Sequence, residues 1–346
     1  MMITEAKDAL MHFKWLCAGL LLCGWSALAQ PQQNVAAGAL SKQELQVTIR
    51  NIADELQHHY AEPATGKTVS AQLLAKLALG EFDGYADISQ LKHQLTHWLV
   101  QSTRDSSLSL VEHDDAGLLT EPSNQLAAAA SQHDAIKAGI SAHNIGYLQL
   151  RGQFNFPDNA AVLAQQLQFL AGVDALIIDL QQADSGKLVL VQQLLSYFVP
   201  PGTELARLHF NQHTETLTAA AVPTAVRFKQ ELPLYIVTSA FVAGGWELFA
   251  ATLQKQNQAV IVGETTMGIH QLETVVKVSD RLSLHYSYGV MTLPAAVASW
   301  AEQGVVPDYF FAAKDAVAKA HALAVAEVKA NHNCSGCSIK GQLVMP

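Results

Sequence analysis

Residues 175–180 read ALIIDL, an apolar run that predicts a buried strand. Residues 234–237 read LYIV and residues 260–262 read VIV, and each run predicts a further strand. Amphipathic segments lie between and after these strands, and they predict helices over residues 162–170, 188–198 and 246–254. Strands that alternate with helices indicate an α/β fold with a mostly parallel core sheet.

Shorter strands are predicted around this core. Tyr147–Leu150 and Leu205–Phe210 fit single strands, and residues 108–111 alternate as a strand should. Thr274–Val278 and Leu282–Tyr286 flank Ser279-Asp280, which indicates a hairpin. A polar, alanine-rich connection spans residues 112–142, and an alanine-rich helix over residues 314–330 closes the fold.

The segment ahead of these strands has helical periodicity. Ser41 and Glu44 form a capping-box pattern at the start of the first helix. A turn at Pro63–Gly66 is expected to end that helix. A second helix is expected to carry Leu73, Leu74 and Leu77 and to stop near Gly80, and a third is expected to begin behind Asp87. The apolar stripe of the first helix consists of Leu45, Ile49, Ile52, Leu56 and Tyr60. Three short helices with one apolar stripe each must cover one another, so residues 41–103 predict a small helical bundle.

Composition excludes some classes of function. The 346 residues carry 21 Lys and Arg against 30 Asp and Glu, a net charge of −9, without a basic cluster. A nucleic-acid partner is therefore not expected, because phosphate binding needs clustered cations. Half of the residues are apolar and 15% are charged, which favours large buried cores over disorder. No motif indicates a cofactor.

The first 40 residues predict export. A short basic start at residues 11–14 precedes an apolar run at 15–25, and Ala27-Leu28-Ala29 fits a cleavage site before Gln30. Residues 1–29 are thus interpreted as a signal peptide and residues 30–40 as a linker, and Met11 is expected to be the true start because Glu5 and Asp8 do not suit a signal peptide. Lipidation at Cys23 is the alternative, although Leu22 fits a lipobox poorly. We expect a periplasmic or secreted protein without a membrane span.

Cysteine use is sparse. Cleavage after Ala29 leaves only Cys334 and Cys337, which lie in residues 331–346, a segment interpreted as a flexible tail. With His332 they offer three zinc ligands, one fewer than a structural zinc site needs, so no metal is expected. A small surface disulfide between the two cysteines, or an unpaired tail, remains open.

Five motifs in fixed order resemble the tail-specific, or C-terminal processing, serine protease family. They are Ile145–Leu148, Ala175–Leu180, Val237–Ser239, Gly263–Gly268 and Gly304–Asp308. The resemblance covers residues 41–325. It implies a ClpP/crotonase-like α/β domain over residues 104–330, preceded by the helical bundle. The connection at 112–142 is too short for a PDZ domain, and this is similar to the branch that contains the interphotoreceptor retinoid-binding protein modules.

The same resemblance locates the catalytic positions, and their residues have changed. Gly244 stands where the family has its nucleophilic serine, and a glycine cannot form an acyl-enzyme. Ile269 replaces the lysine of one branch, and Ser107 replaces the histidine of another, in Asp105-Ser106-Ser107. The stretch that helps to form the oxyanion hole reads QQADSG over residues 181–186 and keeps Gly186, while Gly245 follows the nucleophile position.

Other polar residues near these motifs have modest expected roles. Ser239 and His270 could together imitate a displaced nucleophile and base, although both fit ordinary loop positions. Glu247 is expected to complement the N-terminus of its helix, and Glu264 to bond the amides of its own loop.

The sequence thus leaves two functions open. One is an inactive family member that binds a peptide, an unfolded protein or an apolar small ligand in the former cleft. The other is a serine-type peptidase that uses a displaced nucleophile such as Ser239.

Overall fold

The computed structural model describes residues 40–85, 87–113, 135–152, 158–183, 186–222, 228, 231–294 and 300–337. The predicted signal peptide, almost all of the linker and residues 338–346 lie outside them. The helices are α1 (Lys42–His59), α2 (Pro63–Ala78), α3 (Ile88–Thr103), α4 (Asp158–Phe169), α5 (Leu188–Leu195), α6 (Gly245–Lys255) and α7 (Ala313–Cys337). The strands are β1 (Ser109–Glu112), β2 (Ile136–Ser141), β3 (Ile145–Gly152), β4 (Ala175–Ala183), β5 (Glu204–Phe210), β6 (Thr214–Thr218), β7 (Leu234–Thr238), β8 (Val260–Gly263), β9 (Gln271–Lys277), β10 (Leu282–Thr292) and β11 (Tyr309–Phe310).

A six-stranded sheet forms the centre of the α/β region. Its order is β11-β8-β7-β4-β3-β2, and every neighbouring pair is parallel except β2 with β3. The central strands β4 and β7 are buried almost throughout, which is why they read as continuous apolar runs. This sheet and the preceding helices confirm the predicted fold class.

The two faces of this sheet bury different partners. Leu176 and Ile178 of β4 point into the largest apolar cluster, which also includes residues of α4, α5 and α6. Ala175 and Ile177 point to the other face, because side chains alternate along a strand. That second face is covered by a stripe of small side chains on α7, namely Ala316, Ala320, Ala324 and Val328.

A second sheet is antiparallel and centres on β10. One edge of β10 pairs with β9, and the other pairs first with β1 and then with β5, which in turn pairs with β6. Leu282, Leu284 and Tyr286 of β10 share one apolar cluster with the buried faces of α1, α2 and α3. The helices therefore bury their stripes against a sheet as well as against one another.

Helix starts and ends were predicted with mixed success. Ser41 caps α1 as predicted, and its hydroxyl accepts the N–H of Glu44 at 3.1 Å. The Glu44 carboxylate instead accepts Nε and Nη2 of Arg281, at 2.8 and 2.9 Å. The predicted turn at Pro63–Gly66 is wrong, because Pro63 begins α2, where its missing N–H costs no hydrogen bond. Helix α7 continues to Cys337, so the segment predicted as a flexible tail is helical up to that residue.

Candidate functional site

The turn between β7 and α6 carries Gly244, which the sequence resemblance aligned with the family's nucleophilic serine. Gly244 is the N-cap of α6, with φ 58° and ψ −122°, and it is buried. A positive φ favours glycine, and a sharp turn from strand to helix is where α/β hydrolases expose a catalytic serine. Here the turn is present and carries no side chain, so it offers no hydroxyl or thiol.

Glu247 joins this turn to the loop that follows β8. Its side chain is fully buried, and Oε2 accepts the N–H of Gly244 at 3.0 Å and of Ile269 at 2.7 Å. Its Oε1 accepts the N–H of Gly268 at 2.6 Å and the hydroxyl of Thr266. Burial raises the pKa of Glu247, and the four hydrogen bonds oppose that rise. Its role thus exceeds the expected interaction with its own helix, because it ties two loops together.

Gly186 and Gly245 are in contact beside the turn. A Cβ on Gly245 would lie 2.4 Å from the carbonyl O of Gly186, so a side chain here would separate the two segments. Gly186 has φ 75° and lies against the ring of Trp246. In the described part of the chain, the N–H of Gly245 donates to no other group. A free N–H one residue after the nucleophile position is the donor that an oxyanion hole uses.

The altered stretch before Gly186 is held by neighbouring segments. The side-chain Nε2 of Gln181 donates to the carbonyl O of Ala313 at 2.6 Å, and its N–H donates to Asp179 Oδ1 at 3.0 Å. Asp184 and Ser185, which belong to the same predicted stretch, lie outside the described residues.

Ser239 bonds backbone groups. Its hydroxyl donates to the carbonyl O of Gln181 at 3.0 Å and accepts the N–H of Phe241 at 3.3 Å, and only 3% of the residue is exposed. His270 lies beyond Ile269, and its Nδ1 is buried without a hydrogen-bond partner in the described residues. No hydrogen bond joins Ser239 to His270 in that part of the chain.

Ser107 lies in a closed polar network. Its hydroxyl donates to Asp105 Oδ1 at 2.6 Å and lies 3.1 Å from the hydroxyl of Ser287 on β10. The other carboxylate oxygen of Asp105 accepts the hydroxyl of Tyr60 at 2.9 Å. Burial and the nearby Asp105 charge raise the pKa of Tyr60. The position that the sequence resemblance aligned with a histidine therefore supplies hydroxyl groups and no imidazole.

Ile269 and Glu264 complete the positions named from the sequence. Ile269 presents an aliphatic side chain, and its carbonyl accepts the indole N–H of Trp300 at 3.1 Å. Glu264 accepts the N–H of Ala240 at 3.2 Å and of Ala313 at 3.1 Å. The expectation that Glu264 bonds its own loop is corrected, because both amides belong to other segments.

Two exposed apolar side chains beside the turn escaped sequence reasoning. Phe241 is 80% exposed and Met267 is 51% exposed. They lie on adjacent loops, because the N–H of Met267 donates to the carbonyl O of Val242 at 3.0 Å. An aromatic residue and a methionine inside two loop motifs were the available signal. Together they place apolar surface beside this turn.

The described residues contain no group of three or more His, Cys, Asp or Glu side chains placed to hold a metal ion. Within the same residues, no helix combines the length and apolar character that crossing a bilayer requires.

Comparison with known proteins finds the same fold in solved structures. The structure of the photosystem II D1 C-terminal processing protease is similar over 80% of this chain and 94% of that one, with 14% identity and a TM-score of 0.55. A lipoprotein from Streptococcus agalactiae is similar over 81% and 96%, with 12% identity and a TM-score of 0.55. At these identities the likeness shows a shared fold. Residues 144–310 match the model of peptidase family S41. The matched segment contains strands β3 to β11 and the turn at Gly244. Through these residues, the chain is similar to peptidase family S41.

Proposed function

We propose that this protein is a catalytically inactive member of family S41 that binds a peptide, an unfolded protein or an apolar small ligand in the former active-site cleft. The observation that carries the proposal is Gly244 at the N-cap of α6, in the strand-to-helix turn that suits a nucleophile. Without a side chain there, no acyl-enzyme can form at this position.

The surroundings of Gly244 support the loss of chemistry. A serine hydroxyl needs a general base, and Ile269 offers an alkyl group where a lysine amine would act. Ser107 is bonded to Asp105 and offers no imidazole. Ser239 is buried and donates to a backbone carbonyl, which is a poor arrangement for attack on a substrate.

The same surroundings support retained binding. Glu247 holds the loop at 266–269 against the turn, so both loops keep a fixed position without a catalytic group. The free N–H of Gly245 can donate to a peptide carbonyl. Phe241 and Met267 present apolar surface at the rim, and burying such side chains is the usual source of affinity for extended apolar segments.

Activity is tested with a fluorophosphonate label and with casein hydrolysis. We expect neither labelling nor turnover by the natural protein. Turnover that disappears in Ser239→Ala would contradict the proposal and establish the displaced nucleophile.

Binding is tested separately with fluorescently labelled, unfolded casein and fluorescence anisotropy. The double variant Phe241→Ser/Met267→Ser should weaken binding by about tenfold or more. The matched control is Leu79→Ser/Phe169→Ser, which removes side chains that are 77% and 56% exposed elsewhere. Equal loss in both variants would show that the rim of the cleft is not the binding surface.

We further propose that the protein is exported and cleaved between Ala29 and Gln30. The support is the basic start, the apolar run and the small residues before Gln30. N-terminal sequencing of the mature protein should begin at Gln30 or its cyclised form. Protein that retains Met1 and accumulates in the cytoplasm would contradict export.

A further inference from the structure

A cavity of about 590 Å³ lies on the second sheet and shares no lining residue with the turn at Gly244. The end of α1, the loop between β5 and β6, and strands β9 and β10 form its walls. This volume falls within the range of sites that bind small organic molecules. Its lining combines aromatic rings with polar groups, which indicates what kind of ligand it suits.

The aromatic wall is ordered by the local strand geometry. The ring of Phe210 stacks on that of Tyr288, with 5.8 Å between centroids and 12° between planes. Gly289 lies opposite Phe210 in the β5–β10 pairing, and a Cβ there would lie 2.8 Å from the Phe210 ring. A register shift in β10 between Ser287 and Gly289 places Tyr288 at an irregularity of the strand. Bulges of this kind re-aim side chains, and here the result is a flat aromatic surface.

The formal charges of the lining are all negative. Glu215 on β6 and Glu273 on β9 contribute carboxylates, and no Lys or Arg lines the cavity. Glu215 lies 3.0 Å from His213, and Glu273 lies 3.3 Å from His285, so imidazoles rather than permanent cations accompany both carboxylates. A positively charged ligand would therefore meet carboxylates without competing with a lysine or an arginine.

One polar group of the aromatic wall is free to bond a ligand. The hydroxyl of Tyr288 makes no hydrogen bond to the described residues, whereas that of Tyr286 donates to Glu55 Oε2 at 3.0 Å. Burial raises the pKa of Tyr288, so this hydroxyl stays protonated and neutral, with lone pairs that can accept an N–H.

We propose that this cavity binds an organic ammonium ion that carries an aromatic or aliphatic body. The rings of Phe210 and Tyr288 suit the apolar body and attract a cation above their faces. The carboxylates of Glu215 and Glu273 and the hydroxyl of Tyr288 suit the ammonium group. A bare metal ion fits poorly, because the described histidines and carboxylates do not converge as a ligand set.

The experiment compares three probes that share one ring and differ in charge. Phenethylamine is the cation, 2-phenylethanol is the neutral analogue and phenylacetate is the anion. Affinities are measured with the full mature protein at neutral pH by ligand-observed saturation-transfer NMR. We expect phenethylamine to bind about fivefold or more tightly than 2-phenylethanol, and phenylacetate to bind most weakly.

Two variants separate charge from shape. Glu215→Gln/Glu273→Gln should abolish the preference for the amine, while Glu231→Gln/Asp174→Asn removes the same net charge at exposed positions outside the lining and should preserve it. Phe210→Leu should weaken the amine and the alcohol by about three- to tenfold. Melting curves identify any variant that has lost its fold. If a variant is unfolded, the comparison of the three probes on the natural protein still tests the proposal.

The proposal is overturned if the natural protein binds no probe, if it binds all three equally, or if phenylacetate binds most tightly. Loss of the amine preference in the Glu231→Gln/Asp174→Asn control would also overturn it, because net charge and not the cavity would then be responsible. The outcome does not depend on whether the cleft at Gly244 binds peptides.

Discussion

The Oε2 atom of Glu247 accepts the N–H of Gly244 at 3.0 Å, so a buried carboxylate fixes the backbone of a residue that has no side chain. The same carboxylate holds Gly268 and Ile269. The residue that the sequence resemblance aligned with the family's nucleophile is therefore held by a rigid backbone support. Fixed loops beside Gly244 suit the binding function proposed above.

Restoring a serine should not restore hydrolysis. Gly244→Ser adds a hydroxyl, yet Ile269 and Ser107 still provide no base, and loss of a triad member costs on the order of 10⁴–10⁶ in rate. We expect no casein turnover above background, and a loss of about 1–3 kcal/mol in unfolding free energy, because φ is 58° at this position. Gly139→Ala is the control, since no atom lies within 4 Å of its added Cβ. Measurable turnover by Gly244→Ser would refute this expectation.

Glu247 should make stability depend on pH. Burial raises its pKa above the ordinary value of 4.5, so the folded state holds this proton more tightly than the unfolded state. The contribution to unfolding free energy is then greatest below about pH 4.5 and decreases as the pH rises through the raised pKa. Urea denaturation between pH 4 and 8 should show this slope in the natural protein and its loss in Glu247→Gln.

Glu247→Gln should also reduce stability at every pH in that series. An amide has one acceptor oxygen, so at least one of the buried N–H groups loses its partner, at a cost of about 1–3 kcal/mol. Identical pH slopes in the two proteins would show that the burial of Glu247 does not control its titration.

The ion pair between Glu44 and Arg281 should contribute more than an exposed pair of the same type. Its side chains are 27% and 21% exposed, and the guanidinium donates two hydrogen bonds. Glu44→Gln should lower the unfolding free energy by about 1 kcal/mol, measured by urea denaturation. Asp280→Asn, at the exposed pair with Lys277, should cause no measurable change. Equal effects would contradict the argument from burial.

Cys334 and Cys337 should pair without supporting the fold. The interval is short, so its closure contributes little through chain entropy. Replacing both by serine should shift the melting temperature by no more than about 2 °C, since ~1 kcal/mol moves a domain of this size by roughly 2–4 °C. Thiol titration should find no free thiol in the oxidised mature protein. A large fall in melting temperature, or stoichiometric zinc in the purified protein, would contradict this prediction and indicate that the two cysteines support the fold.

The strands of the parallel sheet were predictable because burial on both faces leaves a continuous apolar run, as in residues 175–180. Strands β2 and β6 were missed, since edge strands are largely exposed and their sequences read IKAGIS and TETLT. The start of α2 at Pro63 was missed because a proline marks a turn and a first helical residue equally well.

Only those features of the candidate site that depend on residues close together in the sequence were predictable. The motif aligned Gly244 with the nucleophile position, and local spacing placed Glu247 near the start of α6. The bonds from Glu247 to Gly268 and Ile269 were not predictable, because they depend on how two separate loops meet. The cavity on the second sheet was not predictable for the same reason, because Phe210, Glu273 and Tyr288 are not adjacent in the sequence.

The alanine stripe of α7 has a mechanical consequence. Ala316, Ala320 and Ala324 repeat at intervals of four, so a shift of the helix by four residues, roughly 6 Å along its axis, would bring one alanine onto the place of another. Apolar contact therefore specifies the axial position of this helix weakly. Side-chain hydrogen bonds fix the axial position instead. The hydroxyl of Tyr235, for example, donates to Glu327 Oε2 at 2.5 Å. Replacing Glu327 should therefore weaken the axial positioning of α7. Amide hydrogen exchange should become faster along α7 and change little in the sheet beneath it.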